Sequence, residues 1–307
     1  MIGHLISLKQ LEALIWVADL GSFRKAAQQL NTTQPNISAR IAGLEETLGL
    51  VLMHRDAGSV RMTDKGSEIL AVARRIVGEA ETLTEIAGRA DLSEGRLRLG
   101  VTELVAATWL HQYLRDLKAT YPAISVELTV DMSRQLDAAL GNHSIDLAIQ
   151  NSPFVTAASG VIEIGQYPYV WAAEKSLADA LAHAKTLKDL MPHTLLTHAR
   201  HTQSYIELSD QAQALGVPTT SFAPSSSLTS CMQMAADGLG VALLPRIMAE
   251  RGAGADRLTL LDGLWLPSAL RFSARYDRDT APRYVAQAAA IAAATAQAFG
   301  HDPTPKG

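Results

Sequence analysis

Apolar residues return at helical spacing three times within the first fifty positions. Leu8, Leu11, Leu14 with Ile15, and Ala18 mark a helix over residues 7–19 that stops at Leu20-Gly21. Phe23, Ala26, Ala27 and Leu30 fall at i, i+3, i+4 and i+7 of a second helix. Ser22 is its N-cap, and Arg24, Lys25, Gln28 and Gln29 are left to solvent. Asn31-Thr32-Thr33 breaks the pattern. Thr33 caps a third helix, and Pro35 falls in a first turn whose N–H groups have no intrahelical partner. That helix is expected to bury Ile37, Ile41, Leu44 and Leu48 and to turn Gln34, Asn36, Ser38 and Arg40 outward. Most solvated helix faces carry Glu and Lys, whereas this one carries amides and hydroxyls, which hydrogen-bond base edges or phosphates in a major groove. Residues 51–55 and 60–63, joined by Asp56-Ala57-Gly58-Ser59, predict a short wing with Arg55 and Arg61 placed to meet phosphates.

From Thr63 to about position 90 the pattern predicts one long helix, with a capping hydroxyl and Asp64 at the positive end of its dipole. Ile69, Ala73, Ile76, Ala80, Leu83 and Ala87 repeat as a heptad seam, the pattern of a two-helix interface between subunits. Beyond residues 92–95 short apolar runs alternate with longer helical segments. Strands at 97–101, 125–130 and 145–149, with helices at about 104–119 and 133–140, make two βαβ units and a parallel sheet. A second sheet is expected from 169–173, 194–197, 219–222 and 241–244, with helices near 204–214 and 228–236. Gly238 stands where a helix C′ residue needs positive φ, and Pro245 opens the next helix. Residues 270–276 read as a strand and 282–299 as an Ala-rich closing helix expected on the first sheet. A chain that crosses twice between sheets forms a hinged two-lobe clamp, with ligands at the carboxyl ends of its strands.

Composition narrows the function. The 307 residues are 48% hydrophobic and 19% charged, with net charge −4, which excludes a generally basic nucleic-acid coat. Residues 1–65 hold seven Lys and Arg against six Asp and Glu, so any DNA contact is local and geometric. One cysteine excludes a disulfide framework and a Cys-rich zinc site. Residues 1–20 lack the marks of a signal peptide and no long apolar run occurs, so the expected compartment is the cytoplasm, without membrane contact. No GxSxG, HExxH or GxxxxGK[ST] occurs, so no catalytic residue is assigned. His193, His198 and His201 lack the spacing and carboxylate of a metal site, and no metal or other cofactor is expected. Cys231 near a helix start would have a lowered thiol pKa, as a redox sensor needs; the plainer expectation is a buried helix cysteine.

The run Ser22-Phe23, Ala26-Ala27, Leu30, Thr33-Gln34-Pro35, Ser38, Ile41, Leu44-Glu45, Leu48-Gly49, Arg55, Thr63 and Gly66 resembles the winged helix-turn-helix of LysR-type transcriptional regulators. Met53-His54 and Ala42-Gly43 depart from the usual wording of that pattern. Residues 146–149 and 235–245 resemble the effector domain of the same family, which shares its architecture with periplasmic binding proteins. The resemblance implies a winged helix-turn-helix domain at 1–65, a linker helix at 66–92 through which subunits dimerise, and a two-lobe effector domain at 93–307. Its α/β lobes are Rossmann-like, lobe I at about 93–165 and 269–300 and lobe II at about 166–268. It assigns DNA contact to Ser22, Arg24, Thr33, Gln34, Pro35, Asn36, Ser38, Arg40, Arg55 and Arg61.

It also puts the effector at the end of the first strand, where Thr102 and Glu103 precede a helix. The other strand ends supply Met132, Ser133, Gln150, Asn151, Arg200, His201, Thr202, Ser226, Ser227 and Tyr276. An anionic metabolite is the expected ligand. Glu103 complicates this: a carboxylate pointing into the cleft suits an amine better, with Arg200 as its partner in the empty state. The implied function is a ligand-responsive regulator that binds double-stranded operator DNA and works with RNA polymerase. It is expected to be a homodimer through the linker helix and a homotetramer as a dimer of dimers. The competing reading is a solute-binding receptor or enzyme on the two-lobe fold, its helical bundle used for assembly; residues 1–65 discriminate between the two.

Overall fold

Ser7 and Gln10 form a reciprocal capping box at the start of α1 (Leu8–Leu20), and Gly21, at φ 57°, ends it. The computed structural model describes residues 6–56, 59–86, 95–278, 281–282 and 284–301. Ser22 caps α2 (Phe23–Gln29), Asn31 makes the turn at φ 47°, and Thr33 caps α3 (Gln34–Leu48). Leu11, Leu14, Val17, Ala26, Ala27, Ile37, Ile41 and Leu44 form the core between them, with Phe23, Leu30 and Leu48 half-buried at its edge. β1 (Met53–Asp56) pairs antiparallel with β2 (Ser59–Met62), and α4 (Asp64–Ile86) follows.

Three of the family-like positions have direct physical causes. Glu45 Oε1 accepts from the Leu52 N–H at 2.8 Å, tying the end of α3 to the wing. Thr63 Oγ1 donates to the Val51 carbonyl at 2.9 Å and accepts from the Gly66 N–H at 2.8 Å, capping α4. A Cβ on Gly66 would stand 1.9 Å from the Leu52 carbonyl oxygen, so only glycine fits there.

The seam expected on α4 is displaced. Ala73 is buried in the core just described, with Ile69, Leu70 and Val77 packed against it, whereas Val72, Ile76 and Leu83 are 43%, 44% and 70% exposed. Ile69 and Ala73 therefore serve their own chain, and the outward apolar stripe runs through Val72, Ile76 and Leu83. Ala80 is half-buried, and Ala87 lies outside the described residues.

The chain divides into two compact units, residues 1–93 with 277–287, and residues 94–276 with 288–307. The second begins with β3 (Gly95–Val101), α5 (Glu103–Ala107), α6 (Leu110–Thr120), β4 (Ile124–Val130), α7 (Ser133–Gly141), β5 (Leu147–Asn151) and β6 (Gly160–Tyr167). It continues through β7 (Tyr169–Glu174), α8 (Lys175–Ala180), α9 (Leu187–Leu190), β8 (Leu195–His198), α10 (Gln203–Ala214), β9 (Phe222–Ser225) and α11 (Leu228–Ala236). β10 (Val241–Pro245), α12 (Arg246–Arg251), β11 (Leu258–Leu261), β12 (Leu270–Tyr276) and, from residue 288 on, α13 (Tyr284–His301) complete it.

Among the described residues one sheet has the order β4-β3-β5-β12-β6 and the other β11-β7-β10-β8-β9. In the first, β3, β4 and β5 are parallel, as βαβ units require, while β12 returns antiparallel between β5 and β6. The second repeats this plan, with β8, β9 and β10 parallel and β7 and β11 antiparallel. The chain crosses between sheets at Pro168 and again after β11. β6 and β11 have no counterpart in the sequence reading; β6 is interrupted by Glu163 and Gly165, and β11 is only four residues long.

Further differences are local. The helix expected at 104–119 is two helices, broken where Thr108 Oγ1 bonds back to the Leu104 carbonyl at 2.6 Å beside buried Trp109. The strand expected at 219–222 is a 3-10 turn at Thr219–Ser221, with the strand beginning at Phe222. Gly238 has φ 75°, as its C′ position demands. The closing helix reaches both lobes: Thr295 bonds to Asp116 on α6 at 2.7 Å, and Arg251 on α12 bonds to the Phe299 carbonyl.

Candidate DNA-reading helix and effector cleft

The first turn of α3 is built to face outward. Thr33 Oγ1 accepts from the Asn36 N–H at 3.4 Å, and Asn36 Nδ2 donates to Thr32 Oγ1 at 2.8 Å. Gln34, Pro35 and Asn36 are exposed, Ser38 and Arg40 half-buried, and Ile37 and Ile41 on the opposite face fully buried. One helix thus offers an amide and hydroxyl surface while its other face is locked in the core. Ser22 is a half-buried cap, Arg24 is exposed on α2, and Arg61 is exposed on β2 opposite His54. The backbone of Arg55 pairs with Val60 in the wing, and its side chain lies outside the described residues.

In the second unit a cavity of about 560 Å³ opens between the two sheets, at the carboxyl ends of β3, β4, β5 and β8. Its lining brings together Thr102, Glu103, Met132, Ser133, Asn151, His201, Thr202 and Ser226 from the expected set. Ser133 Oγ donates to Asn151 Oδ1 at 2.7 Å and accepts from the Asn151 N–H at 3.1 Å, joining two strand ends. Thr202 caps α10, its hydroxyl donating to the Ala199 carbonyl at 2.7 Å. Thr102 lines the cavity and is 7% exposed, and its Oγ1 is buried without a hydrogen-bond partner. Such a buried hydroxyl is costly unless a ligand or water completes it.

Four expected residues stand elsewhere. Gln150 is fully buried, its Nε2 donating to Asp137 at 3.4 Å. The ring of Tyr276 covers Gly160 so closely that a Cβ there would approach to 2.4 Å. Ser227 caps α11, its Oγ donating to Glu103 at 2.8 Å. Arg200 is exposed and donates to the Tyr205 hydroxyl at 2.9 Å instead of meeting Glu103. The partner of Glu103 is the N-terminus of α11, which presents several N–H groups and a positive dipole.

The lining also includes His198, Asp131, Arg134, Asp137, Tyr169 and Phe272, which the sequence reading left out of the site. His198 and Asp131 lie at or just past a strand end, one or two positions before Arg200 and Met132, so the strand-end rule came close to them. Asp137 projects from within α7 and Tyr169 from a crossing strand, and no local pattern marks either. Burial pushes Asp137 up, but the N–H groups of Thr156 and Val155 and the guanidinium of Arg275 outweigh it and hold the carboxyl below its ordinary range. Burial pushes the His198 imidazole down to about 4, with the charge of Glu103 drawing it back up, so the ring is neutral at neutral pH.

Cys231 does not have the lowered thiol pKa a helix start would confer. It is fully buried, its Sγ 3.6 Å from the Thr197 carbonyl, and desolvation pushes the thiol up to about 11. Among the described residues no group of His, Cys, Asp or Glu forms a metal site, and no helix is long and apolar enough to cross a membrane.

Residues 8–67 match the family described as bacterial regulatory helix-turn-helix protein, lysR family, and residues 90–297 match the LysR substrate binding domain. A probable hydrogen peroxide-inducible genes activator of Streptomyces viridosporus is 30% identical over 252 residues, covering 80% of this chain and 79% of that protein. Full-length OxyR from Pseudomonas aeruginosa superposes with a TM-score of 0.67 at 21% identity, covering 95% of both chains. Full-length CbnR, solved in complex with its target DNA, superposes with a TM-score of 0.52 at 21% identity, covering 95% of this chain and 100% of that one.

Proposed function

The chain belongs to the LysR family of transcriptional regulators, and on that premise we propose that it reads operator DNA with α3 and answers to a small molecule held between its two lobes. One observation carries the reading: α3 exposes Gln34, Pro35 and Asn36 while Ile37 and Ile41 anchor its opposite face. Gln34, Asn36, Ser38 and Arg40 meet base edges or the groove, and Ser22, Arg24, Thr33, Arg55 and Arg61 serve caps and phosphates. Residues 1–65 are the DNA-binding domain, 66–92 the linker and 93–307 the effector domain. The regulator works in the cytoplasm with RNA polymerase. Subunits pair along α4 through Val72, Ile76 and Leu83 and assemble further into a tetramer. CbnR is an instance of a related fold solved on DNA.

The effector reading rests on Thr102, which lines the cavity and whose buried hydroxyl has no partner. Footprinting on the intergenic DNA upstream of the protein's own gene tests both parts with one variant. Thr102→Val keeps side-chain shape and lies far in sequence from α3, so operator binding stays normal while the effector-dependent change in footprint is lost. No binding of that DNA by the wild type would remove the operator assignment. An unchanged effector response in Thr102→Val would move the ligand away from this strand end.

A further inference from the structure

Glu103 is the first residue of α5 in lobe I, yet its carboxylate is satisfied wholly by lobe II. Its Oε2 accepts from the Leu228 N–H at 2.6 Å. Its Oε1 accepts from the Thr229 N–H at 3.1 Å and from Ser227 Oγ at 2.8 Å. Ser227 in turn accepts from the Ser230 N–H at 3.1 Å, so its hydroxyl is oriented as a donor toward Glu103. These donors are the opening turn of α11, a nine-residue helix whose dipole favours negative charge at that end. They form a ready anion seat, and the protein fills it with its own side chain.

We infer that Glu103 is a latch between the lobes and that it sets the charge of the effector. Resting on the cleft as the effector site, the inference assigns this regulator a ligand whose head group at Thr102 and Glu103 carries no negative charge: an ammonium, amidine or amide donor. Three observations converge. The helix terminus that would draw an anionic ligand is taken. A second carboxylate beside Glu103 meets like charge in a part-buried site whose lining already holds Asp131 and Asp137 against Arg134, and neutral His198 adds no cation. The hydroxyl of Thr102, one residue away on the cavity wall, is buried without a partner, and it accepts as readily as it donates. A donor head group that shares Glu103 with α11 acts on the contact joining the lobes, which gives binding a direct route to lobe position.

The full-length protein and its Glu103→Ala and Glu103→Gln variants test this with sodium acetate as probe, against sodium chloride at equal ionic strength. In Glu103→Ala the seat is vacant and anionic no longer, so acetate binds by calorimetry and restores several degrees of the lost melting temperature. Wild type gives no acetate signal. Glu103→Gln folds with the seat filled by a neutral amide, melts below wild type and also ignores acetate. An acetate response equal in wild type and Glu103→Ala, or absent from both, overturns the latch. Neither result depends on an effector, so failure of the effector site itself appears separately, as an unchanged footprint response in Thr102→Val.

Discussion

Arg74 on α4 and Asp19 on α1, 55 residues apart, form a bidentate ion pair whose side chains are only 12% and 9% exposed. A pair so enclosed is costly to break from one side, because the remaining charge stays buried. It holds α4 with Ile69 and Ala73 toward α1 and the core, and leaves Val72, Ile76 and Leu83 outward.

On the proposed pairing along α4, that orientation distinguishes substitutions that separate subunits from those that unfold them. Ile76→Glu and Leu83→Glu put charge into the outward stripe, and sedimentation should find folded monomers that bind half-sites poorly. Ala73→Glu buries a charge in the protein's own core and should lower the melting temperature outright. Dimers persisting at micromolar Ile76→Glu would remove α4 as the subunit interface.

On DNA the two surfaces should separate by specificity. Gln34→Ala and Arg40→Ala should each cost about 1–3 kcal/mol on the cognate operator and alter which sequences are preferred. Arg61→Ala should weaken all sequences alike and flatten the salt dependence of binding. Titrations at several salt concentrations read both effects, and unchanged operator affinity in the α3 variants would free that helix from base reading.

Cys231 should be chemically quiet. With its thiol pushed up to about 11 and no exposed surface, iodoacetamide at neutral pH should leave it unmodified in the native protein and alkylate it fully in guanidinium. A peroxide response through this cysteine would require rapid native-state oxidation, which mass spectrometry after peroxide treatment would reveal.

His198 predicts a pH dependence of stability. The folded imidazole titrates near 4 against an ordinary value of 6.5, so the unfolded chain takes up a proton that the folded one refuses. The contribution is fully present above pH 6.5 and is lost as pH falls toward 4, at most about 3 kcal/mol. His198→Gln should flatten the denaturation midpoint across that window. A wild-type slope retained in the variant would assign the dependence to other groups.

The helix-turn-helix was legible in the sequence because its determinants are local. Caps at Ser22 and Thr33, turn residues at Gly21 and Gly49, and helical periods in the apolar positions each act within a few residues. Most parallel strands of both sheets were legible for a similar reason, since buried strands such as Val241–Pro245 are apolar runs, but the one expected at 219–222 lies at Phe222–Ser225. The edge strands Gly160–Tyr167, broken by Glu163 and Gly165, and Leu258–Leu261, only four residues long, are marked less clearly, and pairing with distant partners makes them strands. Heptad spacing named α4 as an interface helix but could not choose its outward face, because two overlapping apolar stripes fit one period and the Arg74–Asp19 pair selects between them. The cleft follows the same rule. Strand ends placed Thr102, Ser133 and Asn151 near one another, whereas the meeting of Glu103 with Leu228 across the lobes, 125 residues on, and of Asp137 with Arg275 within lobe I, 138 residues on, exists only in the folded chain.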